Sequence, residues 1–254
     1  NTIDFDSYNY INASGNQAYE TAIVNLFTDL KTQGLYNKIQ AFYPFLGTTA
    51  AQHKWNAKNP LDINAAFRLQ FFGGGTHSNL GYQCNGTNAY ANTFLVPSLV
   101  QNVNSNGLTV VVGTNFIPTA PCVEIASYNS ETQMSYLQVK DSPTNERHAA
   151  IFNNRTGQAI SVTGAKDAKG IYTGVKTSAT INKLFKNKTL VISGTGGGSL
   201  PSNPFGIGAF YNGGAYSPQR IQFIAIHEGL TDSEVVALHT IIDNFESAIG
   251  RKTW

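Results

Sequence analysis

Apolar and polar residues alternate along most of the chain after residue 65, which is the spacing of β-strands. In residues 65–72, Phe67, Leu69 and Phe71 fall on one strand face, and Arg68 and Gln70 fall on the other. Further short segments show strand patterns, separated mainly by Asn, Gly, Ser and Pro: residues 90–95, 108–113, 122–128, 134–139, 149–152, 159–162, 171–175, 180–184, 190–193, 205–210 and 220–227. Many short strands with such turns predict an all-β fold, a sandwich or a barrel.

The last of these strands is apolar on both faces. Ile221, Phe223 and Ala225 share one face, and Ile224 and Ile226 share the other. A strand that is apolar on both sides is typical of a central strand covered above and below. We therefore expect two packed antiparallel sheets, with helices outside them.

A helix is predicted directly after this strand. Thr231 is a suitable N-cap, and Glu234 three residues later completes a capping box. The helix then carries one apolar stripe, formed by Val235, Leu238, Ile242, Phe245 and Ile249, and Gly250 ends it. The stripe predicts that the helix docks on the sandwich or on a neighbouring subunit.

The first part of the chain has helical rather than strand spacing. Residues 16–34 carry Ile23, Phe27 and Leu30 on one helical face, with Gly34 as a left-handed cap. A second short helix is predicted over residues 35–42, ending before Pro44. We expect residues 1–64 to form a helical and loop segment packed on a sandwich of residues 65–254, as one structural unit.

Composition excludes several classes of partner. The net charge is +2 without a basic run, which argues against nucleic acid, and no apolar run is long enough to span a membrane. Charged residues make up only 13% of the chain, about half the usual share. The two cysteines, Cys84 and Cys122, match no metal-site spacing and are predicted to be free, buried thiols.

The sequence offers no constellation for catalysis. A glycoside hydrolase of a sandwich fold would place carboxylates two or four residues apart on one strand. Glu124 has no acid among its same-face neighbours Cys122, Ala126 and Tyr128, and Glu131 lies beyond in a turn. The Gly-rich residues 194–199 lack the Lys-Ser/Thr ending of a phosphate loop. We expect a non-enzymatic protein with no cofactor. Structural calcium stays open as an alternative, although no dense Asp/Asn run indicates it.

Aromatic residues are the remaining candidates for binding. Sugars stack their apolar faces on aromatic rings, while amide side chains bond their hydroxyls. The best local cluster lies between Tyr211 and Tyr216, where tyrosines flank an Asn-Gly-Gly turn. The predicted ligand-binding residues are Trp55, Tyr82, Tyr128, Tyr211, Asn212 and Tyr216.

The C-terminal part of the chain resembles the concanavalin A-like, laminin-G-like jelly rolls. The resemblance rests on FGIGAFYNG at residues 205–213, RIQFIAIH at 220–227 and GLTDSE at 229–234. In those domains the last two strands are separated by a turn and are followed by a helix that begins with the motif Leu-Ser/Thr-Asp-x-Glu. The resemblance implies a lectin-like, two-sheet antiparallel jelly-roll sandwich with short N-terminal helices and one C-terminal helix.

A second resemblance covers nearly the whole chain and is to a module of bacteriophage tail-fibre and head-fibre proteins. It rests on LKTQGL at residues 30–35, AFYPFLG at 41–47, HKWN at 53–56, AAFRL at 65–69, THS at 76–78, NGTNAYA at 85–91 and FESAIGR at 245–251. It implies a virion structural protein displayed on the particle, with other virion proteins as partners and host-surface glycan as a ligand in host attachment. Two alternatives stay open, a glycan-degrading tail-spike hydrolase and a secreted bacterial carbohydrate-binding adhesin, as does oligomerisation.

Overall fold

A computed structural model describes residues 4–141, 147–153, 160–163 and 167–254. These residues form a jelly-roll sandwich of two β-sheets with helices outside one of them. The strands are β1 Ile39–Tyr43, β2 Gln70–Phe72, β3 Thr76–Ser78, β4 Gly81–Gln83, β5 Tyr90–Asn92, β6 Asn106–Val112, β7 Ile125–Ser130, β8 Gln133–Gln138, β9 Arg147–Phe152, β10 Ile160–Thr163, β11 Gly170–Lys176, β12 Ile181–Lys186, β13 Thr189–Thr195, β14 Gly206–Ile207 and β15 Arg220–His227. The helices are α1 Phe5–Ser14, α2 Glu20–Thr32, α3 Ala50–His53, α4 Pro97–Val100 and α5 Asp232–Ala248.

The two sheets have antiparallel strands, as predicted. Sheet A has the order β13-β12-β11-β6-β15-β4-β3, and β1 pairs with the second half of β15 beside β4. Sheet B has the order β10-β9-β8-β7-β14-β5-β2. The predicted strand over residues 159–162 falls partly outside the described residues, and β10 begins at Ile160.

Side chains on the facing surfaces of the sheets form the main core. On β6, Leu108, Val110 and Val112 enter this core, while Val111 points to the helices. The predicted two-sided burial of β15 is confirmed, with one correction. Ile221 lies in the inter-sheet core rather than on the face of Phe223, because a β-bulge between them shifts the alternation by one residue.

The helices cover the outer face of sheet A. The stripe of α5 packs with α2 and sheet A, so the predicted docking on the sandwich is confirmed. The Thr231–Glu234 capping box is present. Gly34 and Gly250 have φ angles of 70° and 68°, the left-handed conformation that glycine adopts without a steric penalty.

Two predicted elements in the N-terminal half were wrong or incomplete, and two observed elements were missed. Residues 35–42 are not a helix: a 3₁₀ turn over Tyr36–Lys38 leads into β1, which pairs with the free edge of β15. Of the strand predicted over residues 65–72, only the last three residues form a strand, β2. The earlier residues do not, because a 3₁₀ turn ends at Ala66 and Phe67 has a φ of 60°. Helix α1 and the β3–β4 hairpin were not predicted.

A buried ion pair holds the C-terminal tail against the sandwich. Arg251 is 2% exposed and its Nη2 lies 2.6 Å from Oε1 of Glu246, which is fully buried. The guanidinium also donates to the carbonyls of Pro44, Phe45 and Gln222 at 2.8–2.9 Å. It therefore joins α5, the segment after β1 and β15.

A second buried polar group connects α5 to sheet A through hydroxyls. His239 Nε2 lies 2.8 Å from Thr173 Oγ1, which lies 2.7 Å from Thr109 Oγ1, which lies 2.9 Å from His227 Nε2. Burial lowers the pKa of His227 to about 4 and that of His239 to about 3. Both imidazoles are neutral at neutral pH.

Cys84 and Cys122 are buried free thiols, as predicted. None of the helices in the described ranges has the length and apolar character needed to cross a membrane.

Candidate functional site

The outer face of sheet B carries a cavity of about 340 Å³. Alternation along the strands explains which side chains face it. On β7 and β8, Ile125 and Leu137 enter the inter-sheet core, while Ala126 and Tyr136 point to the opposite side. The lining residues are Pro121, Cys122, Val123, Tyr128, Glu131, Met134, Tyr136, Gln138, Asp141, Phe210 and Ala215.

Aromatic and thioether side chains form one wall of this cavity. The register of β7 and β8 places Tyr128 opposite Met134 and Ala126 opposite Tyr136. The ring of Phe210, from the turn after β14, lies 5.2 Å from the ring of Tyr128 at an angle of 37°. Cross-strand pairs of this kind give a flat, rigid apolar surface.

Polar groups line the cavity towards both ends of β8. Gln138 Nε2 donates to Asp141 Oδ1 at 3.0 Å and also bonds the Cys122 carbonyl, which fixes the orientation of the amide. Glu131 lies in the turn between β7 and β8. The cavity therefore combines an apolar surface with oriented amide and carboxylate groups.

Further aromatic rings extend across the same face of sheet B. Phe72 on β2 and Tyr90 on β5 are cross-strand partners, and their rings stack 4.8 Å apart at 14°. The Tyr90 ring lies 6.2 Å from that of Tyr216. Tyr216 in turn bridges by its backbone to Val123, which lines the cavity. A second group of aromatic rings thus lies on this face of sheet B, between the margin of the cavity and the edge strand β2.

The structure brings together four of the six predicted ligand-binding residues. Tyr128 lines the cavity, and Tyr211 and Asn212 lie in the turn directly after Phe210. This turn closes with a hydrogen bond of 2.9 Å from the Gly213 N–H to the Phe210 carbonyl. Tyr216 belongs to the second group of aromatic rings described above.

The other two predicted residues lie elsewhere. Tyr82 is 1% exposed in the inter-sheet core, where it packs against Phe45 and Phe71, so it presents no surface to a ligand. Its place on β4 points the ring inward. Trp55 packs at the margin of the helix layer, where Lys54 Nζ lies 4.7 Å from the centre of its ring.

Several lining residues were missed from the sequence. Met134 and Gln138 are two of them, and their shared face on β8 was available from strand spacing alone. Phe210 and Asp141 follow strand ends, and no local pattern marks them as lining residues. In the portion of the chain that the structure describes, no group of three or more His, Cys, Asp and Glu side chains is placed to hold a metal ion.

Glu124 lies behind the cavity wall rather than in it. Its carboxylate is fully buried and accepts hydrogen bonds from the Val139 N–H at 2.6 Å and the Ser217 hydroxyl at 2.9 Å. Burial raises the pKa of this carboxyl group to about 7.

Solved structures share the fold at low sequence identity. Domain 4 of AbnA, an extracellular GH43 arabinanase from Geobacillus stearothermophilus in complex with arabinotriose, is 15% identical with a TM-score of 0.51, over 80% of this chain and 98% of that one. The receptor-binding domain of botulinum neurotoxin C/D mosaic serotype is 9% identical with a TM-score of 0.54, over 81% of this chain and 51% of that one. A mutant Trypanosoma rangeli sialidase displaying trans-sialidase activity is 11% identical with a TM-score of 0.53, over 87% of this chain and 38% of that one.

These likenesses establish the jelly-roll fold. The chain spans only about half of the neurotoxin chain and a smaller part of the sialidase chain. No protein-family model matches the sequence, and no curated protein matches it either.

Proposed function

We propose that the protein is a non-catalytic carbohydrate-binding domain used for adhesion, and that the cavity on sheet B is its sugar site. The observation that carries this proposal is the pair of partly exposed rings of Tyr128 and Phe210 beside the oriented amide of Gln138. Rings of this kind stack on the apolar faces of sugars, and amide and carboxylate oxygens bond the hydroxyls.

The solved structures support this proposal through their ligands and activities. One of them holds arabinotriose, another is a receptor-binding domain, and the third is a sialidase. The second group of aromatic rings, Tyr216, Tyr90 and Phe72, further supports an oligosaccharide rather than a single sugar, because it lies on the same face of sheet B beyond the cavity.

The alternative is a glycan hydrolase, since two carboxylates, Glu131 and Asp141, line the cavity. Hydrolysis normally needs two carboxyl groups about 5–10 Å apart. Glu131 and Asp141 lie beyond opposite ends of β8, whose six residues span roughly 17 Å at the usual rise per residue. This separation favours binding without cleavage.

Replacing Tyr128 with Ala is expected to weaken sugar binding at least about tenfold, because it removes one of the two rings on which the sugar would stack. Candidate ligands are found by screening the purified protein on a glycan array that includes arabinan oligosaccharides. The affinity of each positive glycan is then measured by titration calorimetry for the wild type and the variant.

The matched control is Tyr8→Ala, which removes a 54% exposed tyrosine from α1 in the helix layer. It should bind as the wild type does. Equal affinities for wild type and Tyr128→Ala would show that the sugar binds elsewhere. The protein would be a hydrolase rather than an adhesin if it released new reducing ends from a polysaccharide and this release were lost in Glu131→Gln or Asp141→Asn.

We further propose that the domain belongs to a bacteriophage virion appendage, on the strength of its sequence resemblance to tail-fibre and head-fibre modules. Its partners are then other virion proteins, and host-surface glycan is the ligand. The proposal predicts that the protein co-sediments with phage particles when a producing culture is separated on a density gradient. Mass spectrometry of tryptic peptides from the particle fraction detects it. Recovery only in the particle-free fraction would favour a secreted bacterial adhesin.

A further inference from the structure

The carboxyl group of Glu124 ties together two walls of the proposed sugar site. One partner, Val139, directly follows the lining residue Gln138 at the end of β8. The other, Ser217, closes the segment 208–217, which carries Phe210 and Ala215 into the cavity. The carboxyl group thus bridges β8 and the segment that positions the stacking ring.

Backbone hydrogen bonds place Glu124 beneath this segment. The Gly208 N–H donates to the Glu124 carbonyl at 2.8 Å, and the Val123 N–H donates to the Ala215 carbonyl at 3.0 Å. The Ser217 N–H donates to the Gly208 carbonyl at 2.8 Å, which closes the segment into a loop. The Ser217 hydroxyl, at the end of this loop, contacts the buried carboxyl group.

The hydrogen-bond donors to the buried carboxyl group among the described residues are the Val139 N–H, the Ser217 hydroxyl and the backbone of Glu124 itself, and all are neutral. A buried carboxylate held only by neutral donors is costly, because a few neutral hydrogen bonds do not replace the hydration of a charge. A protonated carboxyl group avoids this cost and can donate to the Ser217 hydroxyl oxygen across the same contact.

The titratable groups around Glu124 do not favour its charge. Asp141 adds repulsion from the end of β8, and Cys84, Cys122 and Tyr172 are buried groups whose pKa values are raised. His148, which bonds the Val139 carbonyl from β9, is a buried imidazole whose pKa is lowered to about 4 by burial. It is therefore neutral at the pH values at which Glu124 titrates.

We propose that Glu124 is a positioning residue of the sugar site: at acid pH its carboxyl group is protonated in the closed loop 208–217, and loss of the proton as pH rises favours opening of that loop. The proposal rests on the proposed sugar site, because it concerns the loop that holds Phe210 in place. Sugar that stacks on Phe210 binds the closed form, so binding is tighter at acid pH than at neutral pH.

The sign follows from linkage between the closed and open loop. In the closed loop the Glu124 pKa is about 7, and in the open, hydrated loop it returns towards its ordinary value of 4.5. Between these values the open form has lost the proton that the closed form keeps. The opening equilibrium should therefore rise by up to about tenfold per pH unit across this window and level off above it.

The test is amide hydrogen exchange of residues 208–217 in the whole protein between about pH 4.5 and about pH 7.5, corrected for intrinsic exchange. The wild type should lose protection as pH rises, and Glu124→Gln should show a flat profile. The matched control Glu20→Gln, an exposed carboxyl group on α2, should keep the wild-type slope. Ser217→Ala keeps the carboxyl group but removes its hydroxyl partner. It should therefore increase amide exchange of the loop at every pH, while the dependence of exchange on pH stays as in the wild type.

A flat wild-type profile, or the same slope in Glu124→Gln as in the wild type, would overturn the proposal. If Glu124→Gln does not fold, the wild-type slope and the Ser217→Ala profile still decide it. The exchange experiment uses no sugar, so it stands even if no glycan binds. For a glycan found on the array, the affinity of the wild type should fall severalfold across the same window, while that of Glu124→Gln stays constant.

Discussion

Replacing Leu238 with Asp is expected to destabilise the protein by more than about 4 kcal/mol. Leu238 is fully buried between α5 and the outer face of sheet A. The substitution removes a packed side chain, which costs about 2–5 kcal/mol in buried leucines, and adds a carboxylate to an apolar contact. Chemical denaturation, monitored by circular dichroism, measures the decrease in the free energy of unfolding. A variant that does not fold at all would represent the largest effect.

The matched control is Val236→Asp on the same helix. Val236 is 40% exposed, so the same charge enters solvent there and should change stability by no more than about 0.5 kcal/mol. Similar effects at both positions would contradict the docking of α5 on the sandwich.

Replacing Arg251 with Ala is expected to cost about 3–5 kcal/mol. The substitution leaves the fully buried Glu246 carboxylate without its cation and the Pro44, Phe45 and Gln222 carbonyls without a donor. The free energy of unfolding, measured by denaturant titration, should fall, while the unfolding transition remains cooperative.

The neighbouring Lys252→Ala variant is the control. Its ion pair with Asp243, at 2.9 Å, is partly exposed and should contribute less than about 1 kcal/mol. The double variant Arg251→Met with Glu246→Met should be more stable than Arg251→Ala, because no unpaired charge remains buried. An Arg251→Ala variant as stable as Lys252→Ala would contradict the structural role of the pair.

The sequence pattern predicted those elements whose burial is decided locally. The residues of α5 and β15 each carry an apolar pattern long enough to define a period, and both were found in place. The pattern failed at β1, because its strand conformation depends on pairing with β15, far along the chain. It also missed the β3–β4 hairpin, whose strands have three residues each and too few apolar positions to define an alternation.

The candidate site was predicted only in part, because some of its residues are marked by local sequence and others are brought in by distant packing. Tyr128 and the Tyr211–Tyr216 turn were identified from residue type and turn chemistry, and they lie at or beside the cavity. Tyr82 was misplaced because residue type alone does not say which sheet face a strand residue occupies. Asp141 and Phe210 join the site only through the packing of separate strand ends, which no single segment encodes.

The buried row of hydroxyls and imidazoles between α5 and sheet A can hold its protons in only one order. The Lys188 N–H can only donate to His239 Nδ1, at 2.8 Å, and the Glu228 carbonyl can only accept from His227 Nδ1, at 2.7 Å. His239 therefore carries its proton on Nε2 and His227 carries its proton on Nδ1, with both threonine hydroxyls donating towards His227. The two histidines are thus opposite tautomers. A slide of α5 by one turn would keep much of the apolar contact but would remove His239 from the row. The Lys188 N–H would then lose its acceptor and the Thr173 hydroxyl oxygen would lose its donor. The row therefore selects the docking register of the helix, while the apolar stripe supplies its stability.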